Sequence, residues 1–186
     1  MKRLNRKAQG IFGLSFGAIF SIFIIALIIA VAFFAINHFL SLNKCTQVGF
    51  FYNNLQREVE KAWTSGIYGD AFNGSLPQSG LLGTKIKKVC FGRLDSSFID
   101  DPAVNNELLT NYLFNPSENK NIFLYPPEEA CDKSLATFNL RCREGKSECM
   151  TTSDRFFCVN VVKGKVSVFL RKGDTEALVK VSDSWT

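Results

Sequence analysis

Six cysteines are the residues whose chemistry the sequence defines most clearly. They are Cys45, Cys90, Cys131, Cys142, Cys149 and Cys158. An even number of cysteines without a Cys-x-x-Cys pair is typical of a disulfide framework in an oxidising compartment. Because the single histidine, His38, precedes all of them, we do not expect a zinc site built from thiolates and imidazoles. We predict three disulfides, with Cys142 and Cys149 as the nearest candidates for one small loop.

One pattern in the sequence is associated with a catalytic nucleophile. Residues 13–17 read Gly-Leu-Ser-Phe-Gly and match the Gly-x-Ser-x-Gly turn of hydrolases. That turn needs a preceding strand and a separately placed histidine, whereas here it lies in an apolar run that also holds His38. The acid pairs Asp100-Asp101 and Glu128-Glu129 adjoin prolines, which is typical of solvated loops rather than of general acids and bases. We therefore predict neither an enzyme nor a cofactor or metal site.

The elements that position these residues begin with an uncharged N-terminal run. From Ala8 to Asn43 there is no Asp, Glu, Lys or Arg, and 25 of the 32 residues in Ile11–Leu42 are apolar. Roughly 18 such residues already predict a membrane span. The four basic residues ahead of the run place the N-terminus in the cytoplasm and the C-terminal domain outside. The sequence thus predicts a single-pass protein of the cell membrane, with the lipid bilayer as a partner.

Most of the net charge of +5 comes from that same N-terminal cluster, which consists of Lys2, Arg3, Arg6 and Lys7. The chain beyond the apolar run holds 18 basic and all 17 acidic residues and is close to neutral. No basic stripe interleaved with aromatic residues is present, so we do not expect nucleic acid as a partner.

The apolar run is compatible with three fates. A conventional signal peptide would be cut near Ala30-Val31-Ala32, but the apolar stretch ahead of that site is long enough to span a bilayer by itself. An uncleaved signal anchor is the second reading. A helix over residues 11–42 would be about 48 Å long at 1.5 Å per residue, against a hydrocarbon core of about 30 Å. The excess must tilt, protrude or pack against other protein.

The third reading rests on the segment Arg6-Lys7-Ala8-Gln9-Gly10, which directly precedes the apolar run. It resembles the class III signal peptide of archaeal type IV pilin-like proteins. The resemblance implies that a prepilin peptidase cuts between Ala8 and Gln9 and that the helix then forms a filament core with other pilin-like subunits. Many members of that family carry Glu at the fifth mature position, where this chain has Gly13. With the cut between Ala8 and Gln9, the resemblance implies a leader over residues 1–8 and a transmembrane helix over 9–43.

The helical pattern continues beyond the membrane over residues 44–66. Apolar residues recur from Val48 to Ala62 at the spacing of one helix face, and Ser65-Gly66 ends the pattern. No proline interrupts residues 9–66, so we predict one nearly continuous helix that is amphipathic in its second half. In its first half, a stripe of small residues suits close packing between helices. The stripe consists of Gly13, Gly17 and Ser21.

The remaining residues, 67–186, are predicted to form an extracytoplasmic head. A Gly-, Ser- and Asn-rich loop is expected over 67–83, and within it Asn73 begins an Asn-x-Ser sequon for possible glycosylation. Strands are predicted over Lys85–Phe91, Asn121–Tyr125, Leu135–Leu140 and Ala177–Val181, a helix over Pro102–Phe114, and a β-hairpin from Arg155–Val162 and Lys165–Arg171.

Helix followed by antiparallel strands predicts an α+β fold, with the outer half of the long helix packed on the sheet. This arrangement is similar to the lollipop shape of type IV pilins. The sequence therefore favours a pilin-like envelope protein with a structural or adhesive role in a surface filament or pseudopilus-type assembly. The alternative is a monomeric, membrane-anchored binding or sensor domain with an uncleaved signal anchor.

Overall fold

A computed structural model describes residues 16–77, 86–112, 120–141 and 149–184 of the chain. The chain divides into two compact units, Met1–Ser41 and Leu42–Thr186. Nine strands and two α-helices lie in the described part. In chain order they are α1 (Phe16–Thr64), β1 (Tyr68–Ser75), β2 (Lys88–Phe91), β3 (Phe98–Ile99), α2 (Pro102–Tyr112), β4 (Ile122–Tyr125), β5 (Thr137–Phe138), β6 (Met150–Thr151), β7 (Arg155–Asn160), β8 (Lys165–Lys172) and β9 (Val179–Ser182).

Helix α1 is continuous over 49 residues, because no proline interrupts it. The predicted continuous helix is thereby confirmed from Phe16 to Thr64, and residues 9–15 lie outside the described residues. The helix ends where Ser65 donates its N–H to the carbonyl of Ala62 at 3.3 Å. The Lys172 ammonium group from β8 donates to the carbonyls of Trp63 and Ser65, which satisfies backbone groups that the last turn leaves unpaired.

The part of α1 in the second unit is amphipathic, as its periodicity predicts. One face is buried against the strands, and the opposite face carries exposed Asn53, Arg57 and Lys61. The buried residues of this face are Val48, Phe51, Tyr52, Leu55, Val59 and Ala62.

Two sheets make up the β-structure of the second unit. Their strand orders are β1-β8-β9-β6 and β3-β7-β2-β4-β5. The longer pairings are antiparallel, as predicted, whereas β6–β9 and β3–β7 are short parallel pairs. The described structure is therefore a long apolar N-terminal helix followed by a predominantly antiparallel β-region, which confirms the α+β class.

Strands β2 and β4 of the five-stranded sheet are buried on both faces. Val89, Phe91 and Leu124 point into the main core, where the amphipathic face of α1 lies, while Cys90 and Phe123 point to a second cluster beneath α2. Because both faces are covered, the strands read as continuous apolar runs rather than as alternating ones. The predicted strands over 85–91, 121–125, 135–140 and 177–181 are confirmed as β2, β4, β5 and β9, with Lys85 outside the described residues.

The predicted helix over residues 102–114 is confirmed as α2 up to Tyr112, and residues 113–114 lie outside the described part. Asp101 starts this helix by accepting a hydrogen bond at 3.3 Å from the Val104 N–H, and Pro102 occupies its first position.

The predicted β-hairpin is wrong in its pairing. The turn itself forms, since Val162 and Lys165 exchange backbone hydrogen bonds at 2.9 and 3.0 Å around Lys163-Gly164, both of which have positive φ. The flanking strands then separate: β7 joins the five-stranded sheet and β8 the four-stranded one. Local turn chemistry set the reversal of the chain, but β7 pairs with β2 and β3, and β8 pairs with β1 and β9.

The predicted loop over 67–83 is also wrong in its first half. Residues 68–75 form β1, which pairs with β8 residue by residue from Tyr68↔Lys172 to Ser75↔Lys165. The segment contains two glycines and no β-branched residue, so its sequence does not indicate a strand. Gly74 is required by packing, because a Cβ there would lie 2.5 Å from Cε2 of Phe51 on α1.

Candidate functional surfaces

The surface of α1 in the first unit is apolar on all sides. Every residue from 17 to 39 is exposed, and Phe34 reaches 75% exposure. Helix α1 is long and apolar enough to cross a membrane. Water does not solvate such an apolar surface favourably.

Two members of the small-residue stripe are described in this helix. The Ser21 hydroxyl donates to the carbonyl of Gly17 at 2.7 Å, so its polar group is satisfied within its own helix. Gly17 and Ser21 therefore present small groups one turn apart without an unpaired donor. Gly13, the third member, and the predicted processing junction at Ala8 and Gln9 lie outside the described residues.

Two disulfides have both of their cysteines among the described residues of the second unit. Cys45, at the start of the amphipathic half of α1, is bonded to Cys131 with the Cα atoms 5.3 Å apart. Cys90 is bonded to Cys158 at directly opposed positions of β2 and β7. Cys149 is also disulfide-bonded, and Cys142, its predicted partner, lies outside the described residues. The Cys45–Cys131 bond ties the helix to a segment 86 residues away in sequence.

The predicted glycosylation residue, Asn73, lies in the middle of β1 rather than in a loop. It is exposed, and it faces Ser167 of β8 in the register of the sheet. Ser75, the third residue of the sequon, is exposed on the same face two residues further on.

The acid pair Asp100-Asp101 takes part in ion pairs that hold elements together. The Arg155 guanidinium donates to Asp100 at 2.5 Å and to Asp183 at 3.4 Å, which joins the start of α2 to both sheets. Asp101 accepts from the Lys88 ammonium group as well as capping α2. Each carboxylate thus has a structural partner.

These ion pairs shift the pKa values of Asp101 and Arg155. The hydrogen bond from Lys88 lowers the pKa of Asp101 below its usual range. The hydrogen bond to Asp100 raises the pKa of Arg155. Both shifts favour the charged forms of Asp101 and Arg155, as expected for groups held in ion pairs. The second acid pair, Glu128-Glu129, lies in a short 3₁₀ turn over Pro127–Glu129.

Burial favours the neutral form of two tyrosines. Desolvation raises the pKa of Tyr52 well above its usual range and that of Tyr112 to about 12. Tyr52 donates to the carbonyl of Leu135 at 2.7 Å and stacks on Phe138 with ring centroids 4.5 Å apart. Both tyrosines therefore remain neutral and serve packing.

The described surface carries shallow depressions that border β1. One, of about 280 Å³, runs between α1 and β1 and is lined by Asn54, Arg57 and Glu58 on the helix side. A second, of about 460 Å³, lies at the end of β1 beside Arg171 and Lys172. Within the described ranges, no group of three or more His, Cys, Asp or Glu side chains is placed to hold a metal ion.

Sequence reasoning missed two features of this surface. One is β1, whose strand character depends on pairing with β8. The other is the anchoring of the C-terminal end of α1: Lys172 donates to its last carbonyls, and the Trp63 indole N–H donates to the Ala177 carbonyl at 3.2 Å. These contacts join residues more than 100 positions apart, so no local pattern signals them.

No protein-family model, curated protein or solved structure matches the chain.

Proposed function

We propose that this chain is a pilin-like, single-span subunit of a cell-surface assembly, with a structural or adhesive role. The observation that carries the proposal is helix α1, which is one element with two kinds of surface. Its first half exposes apolar side chains on every side, and its second half is part of a disulfide-bonded α+β unit. A subunit of this design uses the first half for the bilayer and for other helices, and the second half to carry the head.

The small stripe supports helix–helix contact within this proposal. Gly17 and Ser21 let a neighbouring backbone approach closely, and large side chains such as Phe20 and Phe23, which are 55% and 63% exposed, stand beside them. The two disulfides support an outward position of the head, since such bonds persist in oxidising compartments.

The first experiment is mass spectrometry of the mature protein from its native host. A chain that starts at Gln9 supports processing by a prepilin peptidase, and an intact Met1 contradicts it and favours the plain signal anchor. Electron microscopy of material shed from the cell surface then tests for filaments that contain the chain.

The second experiment measures self-association of the full chain in lipid vesicles by energy transfer between labelled copies. Gly17→Leu fills the small stripe, so we expect it to weaken association. Ala18→Leu is the matched control, because it adds a similar side chain to an exposed position next to the stripe. Equal association of both variants and the wild type contradicts packing through the stripe.

The alternative function is a monomeric, membrane-anchored binding or sensor domain. The depressions beside β1 are the surfaces that would serve it. A monomer in vesicles together with an intact Met1 favours this alternative.

A further inference from the structure

The two sheets have four outer strands in the described part of the chain, and they differ in length. Three of them, β3, β5 and β6, consist of two residues each, whereas β1 consists of eight. Very short edge strands are one device by which proteins prevent unwanted pairing. That device is in place at three edges and missing at the fourth.

The backbone groups that β1 presents to its open edge follow from its register. Leu76 donates its N–H to the Gly164 carbonyl at 2.7 Å, in continuation of the pairing Ser75↔Lys165. In an antiparallel ladder the hydrogen-bonded positions alternate. The even-numbered residues of β1 therefore bond to β8. The N–H and C=O groups that point to the open edge belong to Gly69, Ala71, Asn73 and Ser75.

These outward groups are accessible. Gly69, Asn73 and Ser75 are exposed. Of the four outward N–H groups, only that of Ala71 is hydrogen-bonded within the described residues, and it donates to the Asp70 carboxylate at 2.7 Å. The strand contains no lysine, no proline and no bulge, which are three further devices that blunt an edge.

A surface depression borders this edge. The depression of about 280 Å³ runs alongside β1 and is lined by Ala71 and Asn73 on one side and by α1 on the other. Alternate side chains of an added strand would enter it, while main-chain hydrogen bonds supply the pairing.

We propose that β1 is a pairing edge that joins the heads of two copies of this chain through an antiparallel β1–β1 contact. The outward N–H and C=O groups of one β1 must bond to those of the other, so odd-numbered residues must pair with odd-numbered residues. This condition is met when the two-fold axis passes through Ala71 or through Phe72. Asp70 is the only charged residue of β1. In these registers it faces Phe72 or Gly74 of the partner subunit, so no like charges oppose each other across the contact.

This contact goes beyond the proposed function, because it involves the head and does not depend on the apolar half of α1. It joins the β1 edges into one continuous eight-stranded sheet across two heads. Such pairing would give an assembly lateral contacts that a helical core alone does not provide.

The first test is cross-linking of the full chain in detergent micelles with a short bifunctional maleimide. Ala71→Cys places a thiol at the proposed axis, and no described cysteine is free to compete with it. Ser167→Cys is the matched control, since Ser167 is exposed but lies one strand away from the edge. We expect a covalent dimer for Ala71→Cys and little for Ser167→Cys. Equal yields overturn the proposal, because general proximity of the chains would then explain both.

The second test removes one outward donor in the Ala71→Cys chain. Asn73→Pro deletes an N–H that points away from β8, so the β1–β8 ladder keeps its hydrogen bonds. Asn73→Ala is the control, which keeps the N–H and also removes the sequon. We expect the cross-linked dimer to be lost with proline and retained with alanine, in chains that show the same denaturant midpoint. A dimer that persists with proline overturns the proposal. Neither result bears on the Gly17→Leu experiment, so failure of the edge contact and failure of the proposed function are distinguishable.

Discussion

The two halves of α1 have similar lengths and continuous helical backbone, but their side chains are in opposite environments. Residues 17–39 are all exposed, whereas six residues between Val48 and Ala62 are buried to 2% exposure or less. The first half is apolar all round, which suits any apolar surrounding. The second half concentrates its apolar residues on one face, which suits one particular sheet. The difference shows that one helix can combine a half that suits any apolar environment with a half that packs on one particular sheet.

The strongest way to test this comparison is to truncate a leucine in each half. Leu55 is fully buried, and Leu27 is 48% exposed. We expect Leu55→Ala to lower the free energy of unfolding of the second unit by roughly 2–5 kcal/mol, because it removes buried methyl groups and leaves a cavity. Leu27→Ala should leave that free energy unchanged. Guanidinium unfolding of the full chain in micelles, followed by near-UV circular dichroism, measures both. Equal losses contradict the assignment of the two surfaces.

The Cys45–Cys131 disulfide marks where the specific half of the helix begins. Replacing both cysteines by serine should lower the free energy of unfolding of the second unit by about 2–5 kcal/mol, because the bond closes a long loop in the unfolded chain. The same unfolding measurement, with helical content recorded by far-UV circular dichroism, checks this. We expect the helical signal of the first half to survive the replacement. No change in unfolding would show that noncovalent packing alone holds the helix to the head.

Two glycines lie in different surroundings: Gly74 is packed against other side chains, whereas Gly49 has open space around it. A Cβ at Gly74 would lie 2.5 Å from Phe51, so Gly74→Ala should destabilise the second unit by roughly 1–3 kcal/mol. Gly49 lies within α1 and has no atom within 4 Å of such a Cβ. Gly49→Ala should therefore stabilise the helix by about 0.5–1 kcal/mol through the higher helix propensity of alanine. Shifts of the same sign in the two denaturation curves contradict the packing of β1 on α1.

The smallest expected effect is a dependence on acid that is confined to the second unit. The pKa of Asp101 is lowered in the folded state, mainly by the hydrogen bond from Lys88. Its contribution to stability is therefore complete above the unfolded pKa of about 3.9 and is lost as the pH falls through the folded pKa.

We expect Asp101→Asn to flatten the acid side of the stability profile. Asp95→Asn is the control, since the Arg93–Asp95 pair is about two thirds exposed and such pairs contribute little. The measurement is thermal unfolding between pH 2 and 6, values chosen to span roughly the titration of carboxyl groups. Identical profiles for both variants contradict a specific role for the Lys88–Asp101 pair.

Several elements were predictable because their signals are local. The periodicity from Val48 to Ala62 predicted the buried face of α1, and the helix predicted over residues 102–114 was found as α2. The Lys163-Gly164 turn was predictable for the same reason, because the positive φ angles of a tight turn depend only on the two residues that form it. Strand partners were not predictable, because β7 finds β2 and β8 finds β1 through contacts far apart in sequence.

The candidate surfaces divide in the same way. The apolar helix and the presence of disulfides follow from residue types, whereas the pairing of Cys45 with Cys131 and of Cys90 with Cys158 depends on which segments the fold brings together. The open edge of β1 could not be seen in a segment that reads as a loop.

By itself, the sequence determined the existence of an apolar helix with two kinds of surface, since hydrophobicity and periodicity are properties of neighbouring residues. It also determined that the strands belong to an α+β fold. The tertiary structure alone decided that β7 and β8 belong to different sheets, that Gly74 must be a glycine, and that β1 is a long outer strand among the described residues. These features depend on distances between segments remote in sequence, and such distances are set by the packing of the whole unit.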